Sequence, residues 1–178
     1  FRRVLFRSTL SQFYHQYLYA GNYLDRREAI EFAALQQTEE LARDLLKKGM
    51  QDPYKGIRNL SLNKLDMDND SVRILMEPLI EEMAKKEKDP VTRASAISQL
   101  ASFQKEKYLP IFKEAVYDSS YSVAGSSLEG LFALNEKEAM EFIQKTSGQK
   151  TKGKLLEVTV SILMRSGNPD DFSTIADI

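Results

Sequence analysis

Four acidic residues in one short stretch have the spacing of a calcium-binding loop. In DMDNDSVRILME, Asp66, Asp68 and Asp70 take the first, third and fifth places of an EF-hand loop, and Glu77 takes the twelfth, where a bidentate ligand belongs. The sixth place needs glycine for a positive φ but holds Ser71. The sequence therefore predicts an acidic linker between two helices, with Asp70 or Ser71 capping the second helix, and keeps calcium binding as the alternative.

The rest of the sequence lacks the residues that a catalytic or metal site needs. His15 is the only histidine and there is no cysteine, so neither a zinc ligand set nor a Cys-His nucleophilic pair can be assembled. Phe13, Tyr14 and Tyr17 have helical spacing and no interleaved basic residues, which favours a packing stripe over a platform for nucleic-acid bases. We expect that stripe to pack against whatever precedes the helical array. We predict no catalytic residue and no cofactor in this sequence.

The charged residues are nearly balanced. The chain has 25 basic and 26 acidic residues, a net charge of -1, and so has no overall field that would attract nucleic acid or an anionic membrane. Lys150, Lys152 and Lys154 are interpreted as a solvated loop rather than an anion site. No apolar run reaches the roughly 18 residues of a membrane span. These patterns predict neither a nucleic-acid nor a membrane partner, and the cellular compartment stays open.

The elements that position these residues follow an internal repeat. When the segments from Asp52 and Asp118 are overlaid, an aliphatic residue stands five places on, a serine nine places on and a leucine thirteen places on. A third frame starts at Glu87, with Arg93 six places on, in the position that Arg58 takes in the first frame. An apolar or small residue every three or four positions is one face of a helix, and a small residue at the ninth place lets a neighbouring helix approach.

Two weaker frames extend the repeat at both ends. They begin near Ala20 and after Ser147, so that successive frames start 29 to 35 residues apart. This period is typical of one helical hairpin per unit, each of which must stack on its neighbours to bury its apolar face. The sequence therefore predicts an all-α fold, an α-solenoid or α-α superhelix of about five hairpins.

Apolar spacing and capping signals predict ten helices. The predicted ranges are 9–22, 25–36, 39–49, 53–65, 72–87, 90–103, 109–117, 121–134, 136–146 and 151–166. Asp25, followed three places later by Glu28, is predicted to cap the second helix, Thr38 the third, and Asp89 the sixth with Pro90 in its first turn.

Prolines and glycines add further boundary signals. Pro78 and Pro110 are each predicted at the first position of a helix, where the missing N–H costs nothing. Gly49, Gly148 and Gly167 lie near segment ends, where a left-handed C-cap favours glycine.

The first eight residues, FRRVLFRS, differ in composition from the rest, since they place three arginines among apolar residues. Back-translated as TTC AGA CGT GTG CTC TTC CGA TCT, they resemble a common sequencing adapter over all eight codons. We therefore expect residues 1–8 to be a cloning or library scar. Residues 9–178 are then a helical repeat domain that belongs to a longer chain.

The repeat pattern resembles the A helix of HEAT repeats. The shared features are an acidic residue, an aliphatic residue five places on, arginine six on, alanine or serine nine on and leucine thirteen on. HEAT units usually have roughly 40 to 47 residues, so the shorter units here resemble a compact variety.

The stretch QFYHQYLYAGNYLDRREAIEFAA resembles a junction in aminopeptidase N-like zinc metallopeptidases, where a β-domain leads into a C-terminal HEAT-like helical domain. The resemblance covers residues 9 to about 35 and centres on the run from Tyr23 to Ile30. It implies a non-catalytic domain that packs on the catalytic part of the same chain and limits peptide access, with zinc in the parent enzyme. The family's H-E-x-x-H helix and G-A-M-E-N loop have no counterpart here, so no catalytic residue is carried over.

A different class of function accounts for the repeats equally well. A stand-alone HEAT-like scaffold would bind a protein or peptide partner along its groove. The region upstream of Thr9 distinguishes the two hypotheses, because only a peptidase parent requires a zinc helix there.

Overall fold

The computed structural model describes residues 2–148 and 151–166, and every regular element in these ranges is helical. The ten α-helices are α1 (Arg2–Tyr19), α2 (Tyr23–Ala34), α3 (Glu40–Gly49), α4 (Lys55–Asn63), α5 (Asp70–Lys86), α6 (Pro90–Ser102), α7 (Leu109–Ala115), α8 (Tyr121–Leu134), α9 (Glu136–Thr146) and α10 (Gly153–Ser166). A short 3₁₀ turn, Glu106–Tyr108, leads into α7. The all-α prediction is confirmed for the described residues, and all ten predicted helices have a counterpart.

The chain divides into two compact units, Phe1–Leu79 and Ile80–Ile178, with the division inside α5. In the first unit, α1 packs against α2 and α3, while α2, α3 and α4 contact one another. Ile30, Leu45, Leu46 and Leu62 have no solvent exposure and form the centre of this core. Burying each of these side chains contributes about 1.5–3 kcal/mol relative to leaving it in water.

In the second unit, α8 is the central element. It packs against α6, α7, α9 and α10, and its sequence YSVAGSSLEGLFAL is apolar or small at most positions. Leu128 of α8 is fully buried, as are Ile97 of α6 and Phe112 of α7. Gly130 of α8 lies against the Phe112 ring, because an added Cβ would stand 2.9 Å from Phe112 Cε1. A small residue at this position thus lets α7 approach α8.

The repeat frames correspond to one buried face of the first helix in each frame, which we call the A helix. The residues at the ninth place of the frames from Ala20, Asp52, Glu87 and Asp118 are all fully buried. They are Ala29, Ser61, Ala96 and Ser127. The residues at the thirteenth place are buried as well. They are Ala33, Leu65, Leu100 and Leu131. The predicted apolar face is therefore confirmed in α2, α4, α6 and α8.

Of the three caps predicted for α2, α3 and α6, the first two are wrong. The N-cap of α2 is Asn22, whose side chain accepts from the backbone N–H of Asp25 at 3.0 Å, so Asp25 stands inside the helix. Both Asn22 and Asp25 are followed three places later by an acidic residue, but α1 ends at Tyr19 and the backbone at Asn22 is extended, so the helix begins directly after Asn22. Thr38 caps nothing, since α3 begins after Glu39.

The third predicted cap is confirmed. Asp89 accepts from the backbone N–H of Thr92 at 3.1 Å, and Pro90 stands in the first turn of α6. The cap of α5 differs from the prediction, because the Asn69 side chain, rather than that of Asp70 or Ser71, accepts from the first helical N–H groups.

Pro110 lies in the first turn of α7 as predicted, but the prediction for Pro78 is wrong. Pro78 lies in the interior of α5, because Asn69 starts that helix nine residues earlier. A proline inside a helix removes the hydrogen bond to the carbonyl four residues before it. Here that residue is Ile74, which is exposed, so its turn faces water.

Of the three glycines predicted to end helices in a left-handed conformation, only Gly148 does so among the described residues, with φ of +83°. Gly167 lies outside the described residues. Gly49 does not have a positive φ. It is buried where α3 meets its neighbours, and an added Cβ would lie 2.1 Å from Ser61 Oγ. Gly49 is therefore required for close packing rather than for a turn.

Candidate functional site

A buried carboxylate in the first unit joins three helices. Asp52, just before α4, is 3% exposed. Arg26 of α2 donates to it through Nε at 2.8 Å and Nη2 at 3.3 Å, and the Tyr17 hydroxyl of α1 donates at 2.9 Å. The backbone N–H of Tyr54 also donates to it, at 2.8 Å. A buried charge is tolerated when it is paired and hydrogen-bonded in this way.

The second unit contains an equivalent pair. Arg93 Nη1 donates to Asp118 Oδ2 at 2.8 Å, and Asp118 Oδ1 accepts from the backbone N–H of Ser120 at 2.7 Å. The Glu87 side chain likewise accepts from the backbone N–H two residues on, that of Asp89, at 2.8 Å. In the frames from Asp52, Glu87 and Asp118, the opening acidic residue therefore accepts from the backbone N–H of the residue just before the helix.

In both pairs, the arginine at the sixth place of one frame binds the acidic residue that opens the next frame. Arg26 pairs with Asp52, and Arg93 pairs with Asp118. Sequence reasoning found both positions but treated them as features of a single helix. The separations of 26 and 25 residues were a usable signal, because they place each pair in successive frames of the repeat.

The aromatic residues of α1 form a packing stripe, as predicted. Phe13 stacks on Phe32 of α2 with ring centroids 4.2 Å apart, and the Tyr14 hydroxyl donates to Asp44 of α3 at 2.5 Å. The prediction that this stripe faces a preceding structure is wrong, because it covers α2 and α3. Burial, supported by the bond to Asp44, raises the pKa of Tyr14 to about 12.

Tyr17 of the same stripe is more deeply buried than Tyr14. Burial raises the pKa of Tyr17 well above its usual value, and the hydrogen bond to Asp52 adds to this effect. His15 is exposed, and its Nδ1–H donates to the Ser11 carbonyl at 2.8 Å within the same helix. The aromatic stripe therefore anchors α1, while the single histidine lies on its outer face.

The four acidic residues of the calcium alternative are not gathered around one point. Asp66 accepts from the backbone N–H of Asp68 at 3.2 Å. Asp70 opens α5 and Glu77 lies seven residues further along it, which separates them by about 10 Å along the helix axis. Among the described residues, no group of three or more acidic, histidine or cysteine side chains could hold a metal ion.

The lysines near the start of α10 differ from the predicted solvated loop. Lys152 is exposed in the loop, and Lys150 lies outside the described residues. Lys154, however, belongs to the first turn of α10, and its Nζ donates to Ser98 Oγ of α6 at 3.1 Å and to Ser126 Oγ of α8 at 2.8 Å. The interpretation of Lys154 as a solvated residue is therefore wrong.

A serine beside a lysine can act as a nucleophile, but this cluster is built as a structural link. Ser126 has no solvent exposure, so a substrate cannot reach its hydroxyl. Gly125 of α8 lies so close to α10 that an added Cβ would stand 2.7 Å from the Lys154 carbonyl carbon. Lys154 therefore fastens the first turn of α10 to two helices at once.

A cleft of about 680 Å³ in the second unit lies on α7, α8 and α9. Its charged groups are engaged with one another or with its aromatic rings. Lys113 pairs with Glu138 at 2.7 Å, and Lys145 Nζ lies 5.8 Å from the centre of the Tyr117 ring. Tyr117 in turn packs edge to face with Phe142.

A cleft of about 450 Å³ in the first unit lies between α2 and α4. We call it the tyrosine cleft, because the side chains of Tyr23 and Tyr54 form one wall with ring centroids 5.1 Å apart. Arg27, Asn59 and Asn63 also line it. Sequence reasoning missed this cleft, since Tyr23 and Tyr54 are 31 residues apart and only the packing of α2 on α4 brings them together.

No protein-family model, curated protein or solved structure matches this chain. In the part of the chain that the structure describes, none of the helices has the length and apolar character needed to cross a bilayer.

Proposed function

We propose that this chain is a HEAT-like helical repeat module, an α-solenoid that acts by presenting a binding surface rather than by catalysis. The observation that supports the proposal best is the pairing of Arg26 with Asp52 and of Arg93 with Asp118. Each pair ties a helical hairpin to the next one, at the same place in the repeat. Stacked hairpins joined by equivalent contacts form the extended surfaces that repeat proteins use for binding.

We further propose that the parent protein is an aminopeptidase N-like zinc metallopeptidase. In that protein the module would pack beside the catalytic part and limit which peptides reach the zinc. This step is supported by the resemblance of the run from Tyr23 to Ile30 to the family's junction. Within that run Arg26 has a local role, since it pairs with Asp52, and Asp25 is held by Asn22 at the start of α2.

A stand-alone scaffold for a protein or peptide partner is the second candidate. The tyrosine cleft favours it, because its aromatic and amide side chains present hydrogen-bonding groups to solvent. Such groups are typical of surfaces that recognise another chain.

The gene upstream of Thr9 tests the parentage. Long-read sequencing of the source DNA, translated in frame, should give an H-E-x-x-H motif with a downstream glutamate if the parent is a zinc aminopeptidase. A start codon close to Thr9, or unrelated upstream sequence, would favour the scaffold. In either case the purified chain should not hydrolyse peptides, and zinc-dependent hydrolysis by the pure protein would contradict the proposal.

A further inference from the structure

The tyrosine cleft has two exposed aromatic rings at its edge. Tyr23 opens α2, Tyr54 precedes α4, and the two side chains are 47% and 45% exposed. Their rings are tilted by 49° with centroids 5.1 Å apart, so they form an angled apolar surface rather than a flat stack. Ile57 and Leu60 of α4 also line the cleft. Its lining thus combines two solvent-facing rings with aliphatic side chains.

Gly56 shapes this surface. A Cβ added to Gly56 would lie 2.6 Å from Tyr54 Cε1, so only glycine lets the Tyr54 ring fold back over the first turn of α4. The ring would otherwise have to swing away from its present place beside Tyr23. The position of the Tyr54 ring therefore depends on the absence of a side chain two residues later.

The polar groups of the cleft include several hydrogen-bond donors that no described residue occupies. Within the described residues, neither the Tyr23 nor the Tyr54 hydroxyl makes a hydrogen bond. Asn63 Nδ2 donates to Asn59 Oδ1 at 2.9 Å, which leaves the Asn59 amide nitrogen as a donor and the Asn63 amide oxygen as an acceptor. Arg27 donates through Nε to Glu31 at 2.9 Å and its side chain is 56% exposed, so its two terminal nitrogens remain donors for a ligand.

We propose that the tyrosine cleft binds an extended, proline-rich peptide. A polyproline II segment exposes backbone carbonyls, which the hydroxyl, amide and guanidinium donors of the lining can bind. The pyrrolidine rings supply flat apolar surfaces that pack on aromatic side chains, and the preformed segment loses little entropy on binding. Tyr23 and Tyr54 supply the aromatic surface, and Asn59 and Arg27 supply the donors.

The larger cleft on α7, α8 and α9 lacks this complementarity. Its Lys113 is already paired with Glu138, and its Lys145 lies over Tyr117, so a ligand would have to replace existing contacts. The tyrosine cleft offers groups that are not engaged. The inference deepens the proposed function by naming a class of partner. It rests only on the part of that proposal which says that the chain acts by binding.

The test is a titration of a fluorescently labelled decaproline with the full chain, followed by anisotropy. We expect saturable binding, and about tenfold weaker binding for Tyr54→Ala and for Tyr23→Ala, because aromatic anchors dominate such contacts. Tyr54→Phe, which keeps the ring and removes one donor, should weaken binding by about threefold, the effect of losing one hydrogen bond. Tyr121→Ala is the matched control, since Tyr121 also opens a helix and is 42% exposed but lies elsewhere. It should bind as the wild type does.

Four results would overturn the proposal. One is the absence of binding at millimolar decaproline, and another is equal binding of a glycine-serine peptide of the same length. The third is a loss in Tyr121→Ala as large as that in Tyr54→Ala, with all variants folded by circular dichroism. Binding of a neutral oligosaccharide in place of decaproline would also count against it. None of these results bears on the repeat pairs, which unfolding measurements test separately.

Discussion

Arg26 of α2 and Asp52, just before α4, make a two-point hydrogen bond at 2.8 and 3.3 Å. The Asp52 side chain is 1% exposed and that of Arg26 is 18% exposed, so little water shares the interaction. Removing one partner of such a pair leaves an uncompensated buried charge. The pair therefore holds the start of α4 against α2.

Replacement of Arg26 by alanine should lower the free energy of unfolding by about 2–4 kcal/mol, since Asp52 stays buried without its cation. Urea unfolding followed by circular dichroism measures the loss. The neighbouring Arg27 is the matched control, because its pair with Glu31 is exposed on both sides. Arg27→Ala should change stability by no more than about 0.5 kcal/mol. Equal losses in the two variants would show that Arg26 has no special role.

Gly49→Ala should destabilise the first unit by about 1–3 kcal/mol, the usual cost of overpacking. The new Cβ would lie 2.1 Å from Ser61 Oγ and 2.5 Å from Ile30 Cδ1. Ser61→Ala removes the nearer of these two atoms. That atom is a buried hydroxyl oxygen without a hydrogen-bond partner among the described residues, so the double variant should be more stable than Gly49→Ala alone. Thermal unfolding midpoints of the three variants give their order of stability. Gly21→Ala is the control, since nothing lies within 4 Å of its added Cβ.

Alkaline pH should weaken the contact between α1 and α3. The pKa of Tyr14 is raised to about 12 in the folded protein and is about 10 in the unfolded chain. The folded state therefore holds this proton more tightly, and the stabilisation is fully present below pH 10 and is lost as the pH rises towards 12. The stability difference between wild type and Tyr14→Phe, measured by urea unfolding, should shrink over that range. A constant difference from pH 8 to 12 would contradict the contact with Asp44.

Calcium should not change the thermal unfolding midpoint. Asp70 and Glu77 stand two turns apart on α5, and the Asp66 side chain is turned to the backbone of Asp68, so the four acidic groups cannot surround one ion without rearrangement. Differential scanning calorimetry with millimolar calcium or with a chelator measures this. A rise in the midpoint that Asp66→Asn abolishes would restore the calcium hypothesis.

The helices could be predicted from the sequence because their signals are local. An apolar or small residue every three or four positions marks the buried face, and the ninth-place residues Ala29, Ser61, Ala96 and Ser127 are fully buried as the frames require. The caps were harder, because Asn22 and Asp25 offer the same pattern of a capping residue with an acidic residue three places on. Only the end of α1 decides between them.

The candidate sites depend on contacts between helices, and single-helix patterns do not encode these. Lys154 stands in a polar, lysine-rich stretch that looks solvated, yet the close approach of α10 to α8 at Gly125 brings its ammonium group to Ser126. Tyr23 and Tyr54 likewise have no common signal in the sequence. Their meeting follows from the packing of α2 on α4.

A pair of double-mutant cycles measures directly whether equivalent arginine and aspartate residues join successive frames of the repeat. The cycles combine Arg26→Ala with Asp52→Ala, and Arg93→Ala with Asp118→Ala, using unfolding free energies. We expect coupling of about 1–3 kcal/mol in the first cycle, and a smaller positive coupling in the second, where both side chains are about one-fifth exposed. The crossed pair, Arg26 with Asp118, should show none. If the losses for Arg26→Ala and Asp52→Ala were simply additive, the two residues would not join their frames.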